Sequence, residues 1–86
     1  MASISINQSV AVRWLHPNGA GGEQVVRNFT NLIPACEFAV AMEKEGDVDL
    51  RLYPEYGRPL ELGEAKKIAT EWESGAIPLD ATEVDV

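Results

Sequence analysis

An α+β domain is the fold this sequence predicts: a small antiparallel sheet of three to four strands with two helices packed on one face. Three observations predict it. Residues 47–53, Asp-Val-Asp-Leu-Arg-Leu-Tyr, alternate polar and apolar side chains with period two, the mark of a half-buried strand. The segment before them, Leu32 to Met42, is too rich in apolar residues for an exposed helix, so most of its circumference must be covered. Further on, Ala65, Ile68, Ala69 and Trp72 fall at i, i+3, i+4 and i+7, a single helical stripe. The order read along the chain is β-β-α-β-β-α.

The first strand is read from parity. Ile4, Ile6, Val10, Val12 and Trp14 all fall on even positions, with Ser3, Ser5, Ser9, Ala11 and Arg13 between them. One strand, broken near Asn7-Gln8, puts all five on the core face. It ends at a turn, His16-Pro17-Asn18-Gly19-Ala20-Gly21-Gly22, where proline fixes φ and the asparagine and glycines accept positive φ. Residues 23–29 return as the second strand, with Val25, Val26 and Phe29 apolar. Arg13 and Arg27 lie near the centre of this hairpin, on its polar face. His16 reads as a solvated loop residue.

The first helix is predicted over 32–45. Asn31 or Thr30 caps it, Pro34 is tolerated in its first turn, and Gly46 supplies its stop. The strand at 47–53 follows, with Val48, Leu50 and Leu52 inward and Asp47, Asp49 and Arg51 outward. Pro54-Glu55-Tyr56-Gly57-Arg58-Pro59 then reverses the chain into a short strand at 60–62. The second helix spans 64–74, with Lys67 and Glu71 paired at i, i+4; Gly75 stops it and Pro78 prevents its resumption. Residues 1–78 form the globular domain and 79–86 an acidic C-terminal tail, to which Ile77, Leu79 and Val84 are able to add an edge strand.

With 86 residues the chain builds one domain around one modest core. No apolar run approaches the roughly 18 residues of a membrane span, and the first residues lack the pattern of a signal peptide, so a bacterial cytoplasm is the expected location. The single cysteine, Cys36, agrees, and its apolar neighbours mark it as a buried inert thiol. Zinc is not expected with one His and one Cys. The alternating acids at 43–49 straddle a helix end and a strand, and the glycine and terminal bidentate glutamate of a calcium loop are not at matching positions. The glycines at 19, 21 and 22 precede no Lys-Ser/Thr and no helix, so they are no phosphate loop. No carboxylate pair stands out as acid and base. The chain therefore reads as a non-enzyme with no cofactor and no metal.

Charge is what remains. Fourteen acids against seven bases give a net charge of −7 and a pI near 4.5. Such a field argues against direct nucleic-acid or anionic-membrane binding and favours a basic protein partner, met by a monomer or weak homodimer. Glu43, Glu45, Asp47 and Asp49 place four acids in seven residues where the first helix hands over to the strand. Glu71, Glu73, Asp80, Glu83 and Asp85 form a second zone. Acids at the C-terminal end of a helix oppose its dipole, a local conflict that points toward function. Tyr53 and Tyr56 flank the Pro54-Glu55 turn, where at least one is expected in solvent, and an exposed tyrosine among acids suits an interface anchor.

In size, acidity, single-domain build and want of a catalytic motif, the chain resembles the phage-encoded anti-CRISPR inhibitors. The resemblance is one of overall character and involves no motif. It implies a non-catalytic inhibitor that blocks nucleic-acid access to a basic CRISPR effector, with Glu43, Glu45, Asp47, Asp49, Glu71, Glu73 and Tyr56 as the partner-binding residues and the acids acting as phosphate surrogates. The other reading is a small regulatory, adaptor or antitoxin-like module that binds protein through a sheet edge or the Tyr53–Tyr56 turn.

Overall fold

The computed structural model describes residues 3–16, 23–46 and 48–85. The turn predicted at 17–22, and Asp47, lie outside the described residues, as do the side chains of His16, Glu23 and Val48. The elements are β1 (Ser3–Ser5), β2 (Val10–His16), β3 (Glu23–Phe29), α1 (Leu32–Lys44), β4 (Val48–Pro54), β5 (Leu60–Glu61), α2 (Leu62–Glu73) and β6 (Glu83–Asp85). The fold is α+β, as the alternation and the two stripes require.

Four strands form an antiparallel sheet in the order β3-β2-β4-β5. Its inner face carries Val10, Val12, Trp14, Leu50, Leu52 and Leu60, all buried. Helix α1 covers β2, β3 and β4, helix α2 covers β4 and β5, and the two helices pack on each other. Leu32, Ile33, Ala35, Cys36 and Ala39 of α1 and Ala65, Ile68 and Ala69 of α2 complete the core. Trp14 meets Phe38 edge-on, with ring centroids 5.2 Å apart, and Phe29 lies 5.1 Å from the same ring. Offset and edge-on aromatic contacts of this kind add to the burial of apolar area. Trp72, placed in the core by its stripe, is half-buried at the margin.

The long first strand is two strands. All five even positions are buried, but the chain bends over residues 6–8, and β1 leaves the main sheet to pair antiparallel with β6 at the far end of the sequence. Ile4 stands opposite Val84, and Ile77 is buried, whereas Leu79 is 89% exposed. Within the stretch read as an acidic tail, residues 83–85 are thus a paired strand.

The helix termini follow from local chemistry. The side chain of Asn31 accepts a hydrogen bond from Ile33 N at 3.0 Å, capping α1. Gly46, at φ +98°, closes its C-terminal end, with its N–H donating to Glu43 O at 2.9 Å. The short strand ends at Glu61 rather than at residue 62, and Leu62 already belongs to α2. Glu64 is the reason: its Oε1 accepts from Glu61 N at 3.2 Å, reaching back to the cap position and starting the helix two residues before the predicted 64.

Two further expectations are corrected. Arg27 is on the helix-covered side of the sheet, because β3 pairs with β2 in the register Val12↔Arg27. Its guanidinium carbon lies 5.1 Å from the Phe38 ring centroid and 5.4 Å from that of Phe29, so it roofs the aromatic cluster from the solvent edge. His16 is the last residue of β2, paired with Glu23, rather than a loop residue.

Candidate functional site

Among the described residues, the acids proposed to bind a partner fall in three places. Glu43 is half-buried at the end of α1 and forms an ion pair of 2.5 Å with Lys66 of α2. Together with Lys44, Thr70 and Glu73 these residues line a groove of about 270 Å³ between the two helices. Glu45, the exposed C-cap of α1, follows directly. Glu43 and Glu73, from the two acidic zones of the sequence, are thus brought to one groove. Glu71 lines a different depression with Lys67, Ile77, Glu83 and Asp85, and lies 3.9 Å from the Lys67 ammonium. Asp49 is separate from both, on the open face of the sheet.

Tyr56 is 68% exposed. Its ring is free, but its backbone is held: Tyr56 N donates to Oε1 of Gln8, and Gln8 Nε2 donates to Ser5 O at 2.8 Å. Gln8 is a buried polar residue, 5% exposed, tying the β1–β2 bend to the β4–β5 turn. The same turn is tied to α2, where Arg58 donates to the Glu64 carboxylate from both terminal guanidinium nitrogens. That hydrogen bonding holds the Glu64 carboxyl below the usual carboxylate range.

The face of the sheet opposite the helices carries residues that the sequence reading placed outward but did not bring together. Arg13 on β2 stands directly opposite Arg51 on β4, and Ala11 opposite Tyr53. Between Arg13 and Leu15 the register shifts by one residue, and Asp49 in β4 sits at φ +55°, the one positive φ at a non-glycine among the described residues. An extra residue in one strand re-aims its neighbours, and Asp tolerates the left-handed region better than most. Arg13, Leu15, Gln24, Asp49, Arg51 and Tyr53 line a shallow cleft of about 280 Å³ there. The Arg13 guanidinium carbon lies 5.2 Å from the Tyr53 ring centroid, and its Nε is buried with no hydrogen-bond acceptor among the described residues. The signal in the sequence was the odd parity of Arg13, Leu15, Arg51 and Tyr53. Their juxtaposition depends on strand register, which parity does not supply.

No group of three His, Cys, Asp or Glu side chains able to hold a metal occurs among the described residues. Cys36 is buried, and that burial, with Glu37 adjacent, pushes its thiol up to about 12, so at neutral pH it is a protonated packing residue. No helix of the described residues is long and apolar enough to cross a membrane. No family model, no curated protein and no solved structure matches this chain.

Proposed function

We propose that this chain is a non-catalytic inhibitor that binds a basic nucleic-acid-binding protein complex, of the CRISPR-effector type, through acidic side chains and so blocks access of the nucleic acid. What supports this reading is the groove between α1 and α2, where Glu43 and Glu73 converge beside exposed Glu45. It is supported further by the excess of uncompensated charge. Among the described side chains Glu43, Glu64 and Glu71 are engaged in ion pairs, and Glu45, Glu55, Glu73, Asp80, Glu83 and Asp85 stand exposed. Carboxylates on such a surface steer a basic partner and meet its arginines with charge-assisted hydrogen bonds. No metal or cofactor enters this reading, and the chain acts as a monomer or weak homodimer in a bacterial cytoplasm.

Capture of a purified basic effector complex across a salt gradient tests it. Binding is expected to fall steeply between about 0.1 and 0.5 M salt, over which the Debye length shrinks to a few ångströms. Reversal of Glu43, Glu45, Asp49 and Glu73 to lysine is expected to abolish capture. Capture indifferent to salt and to those reversals overturns the reading.

The exposed ring of Tyr56, carried on a backbone fixed by Gln8, favours a second reading: an adaptor that binds a protein partner at the Tyr53–Tyr56 turn. In that case Tyr56→Ala removes binding while salt does not.

A further inference from the structure

On the open face of the sheet two arginines meet, in a chain that as a whole is strongly negative. Arg13 and Arg51 are directly opposite each other on neighbouring antiparallel strands. Side chains in that relation stand about 5 Å apart at Cβ, and like charges there repel. Among the described residues neither guanidinium has a carboxylate within ion-pair distance, although Glu61 stands opposite Arg51 on β5 and Asp49 lines the same cleft. Arg13 is fixed in place by the Tyr53 ring beneath it, and its Nε–H is buried without an acceptor. The repulsion costs stability, and an oxyanion bound between the two guanidinium forks relieves it.

The rest of the cleft defines what the oxyanion is attached to. At about 280 Å³ it is larger than an inorganic anion and at the small end of ligand sites. Leu15 and the Tyr53 ring offer apolar surface, while Asp49 and Gln24 offer acceptors for hydroxyl donors. The strained backbone at Asp49 and the adjoining bulge set that carboxylate on the rim of the cleft. Two guanidiniums match the double charge of a phosphate monoester better than the single charge of a carboxylate. A nucleic-acid strand is disfavoured, since two cations inside a −7 field, with Asp49 beside them, do not neutralise a run of phosphates.

We infer that the Arg13–Arg51 cleft on the open sheet face binds a small hydroxyl-bearing phosphate monoester, of sugar-phosphate size, with the phosphate between the two guanidiniums and the hydroxyls at Asp49 and Gln24. This site is independent of the groove between the helices.

The full chain, isotopically labelled, is titrated with ribose 5-phosphate and followed by NMR. Saturable shifts confined to the cleft, around residues 11–15, 24 and 49–53, are expected. Arg51→Gln, an exposed position, is expected to weaken binding by at least about tenfold, the loss of one charge-assisted interaction. Arg13→Lys, which keeps the charge and removes the fork, is expected to weaken it as well, and both variants are checked for an unchanged fold by their spectra away from the cleft. Inorganic phosphate is expected to bind more weakly, and ribose not at all. Four results overturn the assignment: no saturation by about 10 mM, weaker than any affinity a built site gives; equal binding by Arg51→Gln; gluconate, a carboxylate of similar size and hydroxyl count, binding as tightly; or a single-stranded oligonucleotide binding more tightly than ribose 5-phosphate.

Discussion

The side-chain amide of Gln8 joins two turns far apart in sequence, donating to Ser5 O and accepting from Tyr56 N. It is the buried polar residue of a core that is otherwise apolar among the described residues. Its removal strands a backbone N–H of the β4–β5 turn. Gln8→Leu, which keeps the bulk, is expected to lower stability by about 1–3 kcal/mol, the cost of a partly buried donor without its acceptor. Urea denaturation measures this, and accelerated amide exchange at Tyr56 localises it. A loss within error assigns the anchoring of Tyr56 to the backbone bond from Glu55 N to Ser9 O instead.

The Arg13–Arg51 pair carries its own energetic signature. Repulsion across a strand pair is worth about 0.2–1 kcal/mol. In a double-mutant cycle with Arg13→Thr and Arg51→Thr, the relief of repulsion is counted in each single variant but occurs once. The double variant is therefore expected to be less stable than the sum of the singles by about 0.2–1 kcal/mol. The coupling is expected to shrink in about 1 M salt. A coupling of the opposite sign, measured by urea denaturation, shows that the guanidiniums stack favourably.

The thiol of Cys36 predicts a pH dependence at the alkaline end. In the folded chain burial raises its pKa to about 12, whereas an unfolded cysteine titrates near 8.5. Above the unfolded value the unfolded state binds fewer protons than the folded one, so stability falls with rising pH. The contribution is fully present below about pH 8.5 and is lost progressively up to about 12. Denaturation midpoints across that range, compared between the wild type and Cys36→Ala, isolate the effect. Thiol-reactive dye is expected to label the native chain slowly at pH 8 and the urea-unfolded chain at once.

Closure of the two chain ends is testable through Val84. It is 7% exposed and pairs with Ile4. Val84→Ala is expected to cost about 1–3 kcal/mol, as for a truncated core side chain. An equal cost for Ile4→Ala, with strong coupling between the two, shows that they act as one unit. A Val84→Ala chain as stable as the parent means that β6 contributes no cohesion.

Much of this architecture is legible in the sequence because it rests on local periodicities. A strand turns successive side chains to opposite faces, so Ile4, Val10, Val12 and Trp14, with Leu50 and Leu52, had to be core, and they are buried. The stripe Ala65, Ile68, Ala69 forces one face of α2 inward in the same way. Asn31 and Gly46 mark the ends of α1 through capping chemistry confined to a few residues.

The parts that were not legible are non-local. Val25 and Val26 are both apolar, so β3 has no parity of its own; pairing with β2 decided that Arg27 faces the aromatic cluster and Val26 the solvent. The return of β6 to β1 depends on contacts between the two ends of the chain, for which short strands carry little pattern. The convergence of Glu43 with Glu73 depends on how two helices pack. The sequence by itself determined which residues turn inward and where each element stops, because those are matters of stereochemistry over a few residues. Only the tertiary structure decided that Arg13 faces Arg51, because strand register, offset here by the bulge at Asp49, is set by the packing of the whole sheet against its helices.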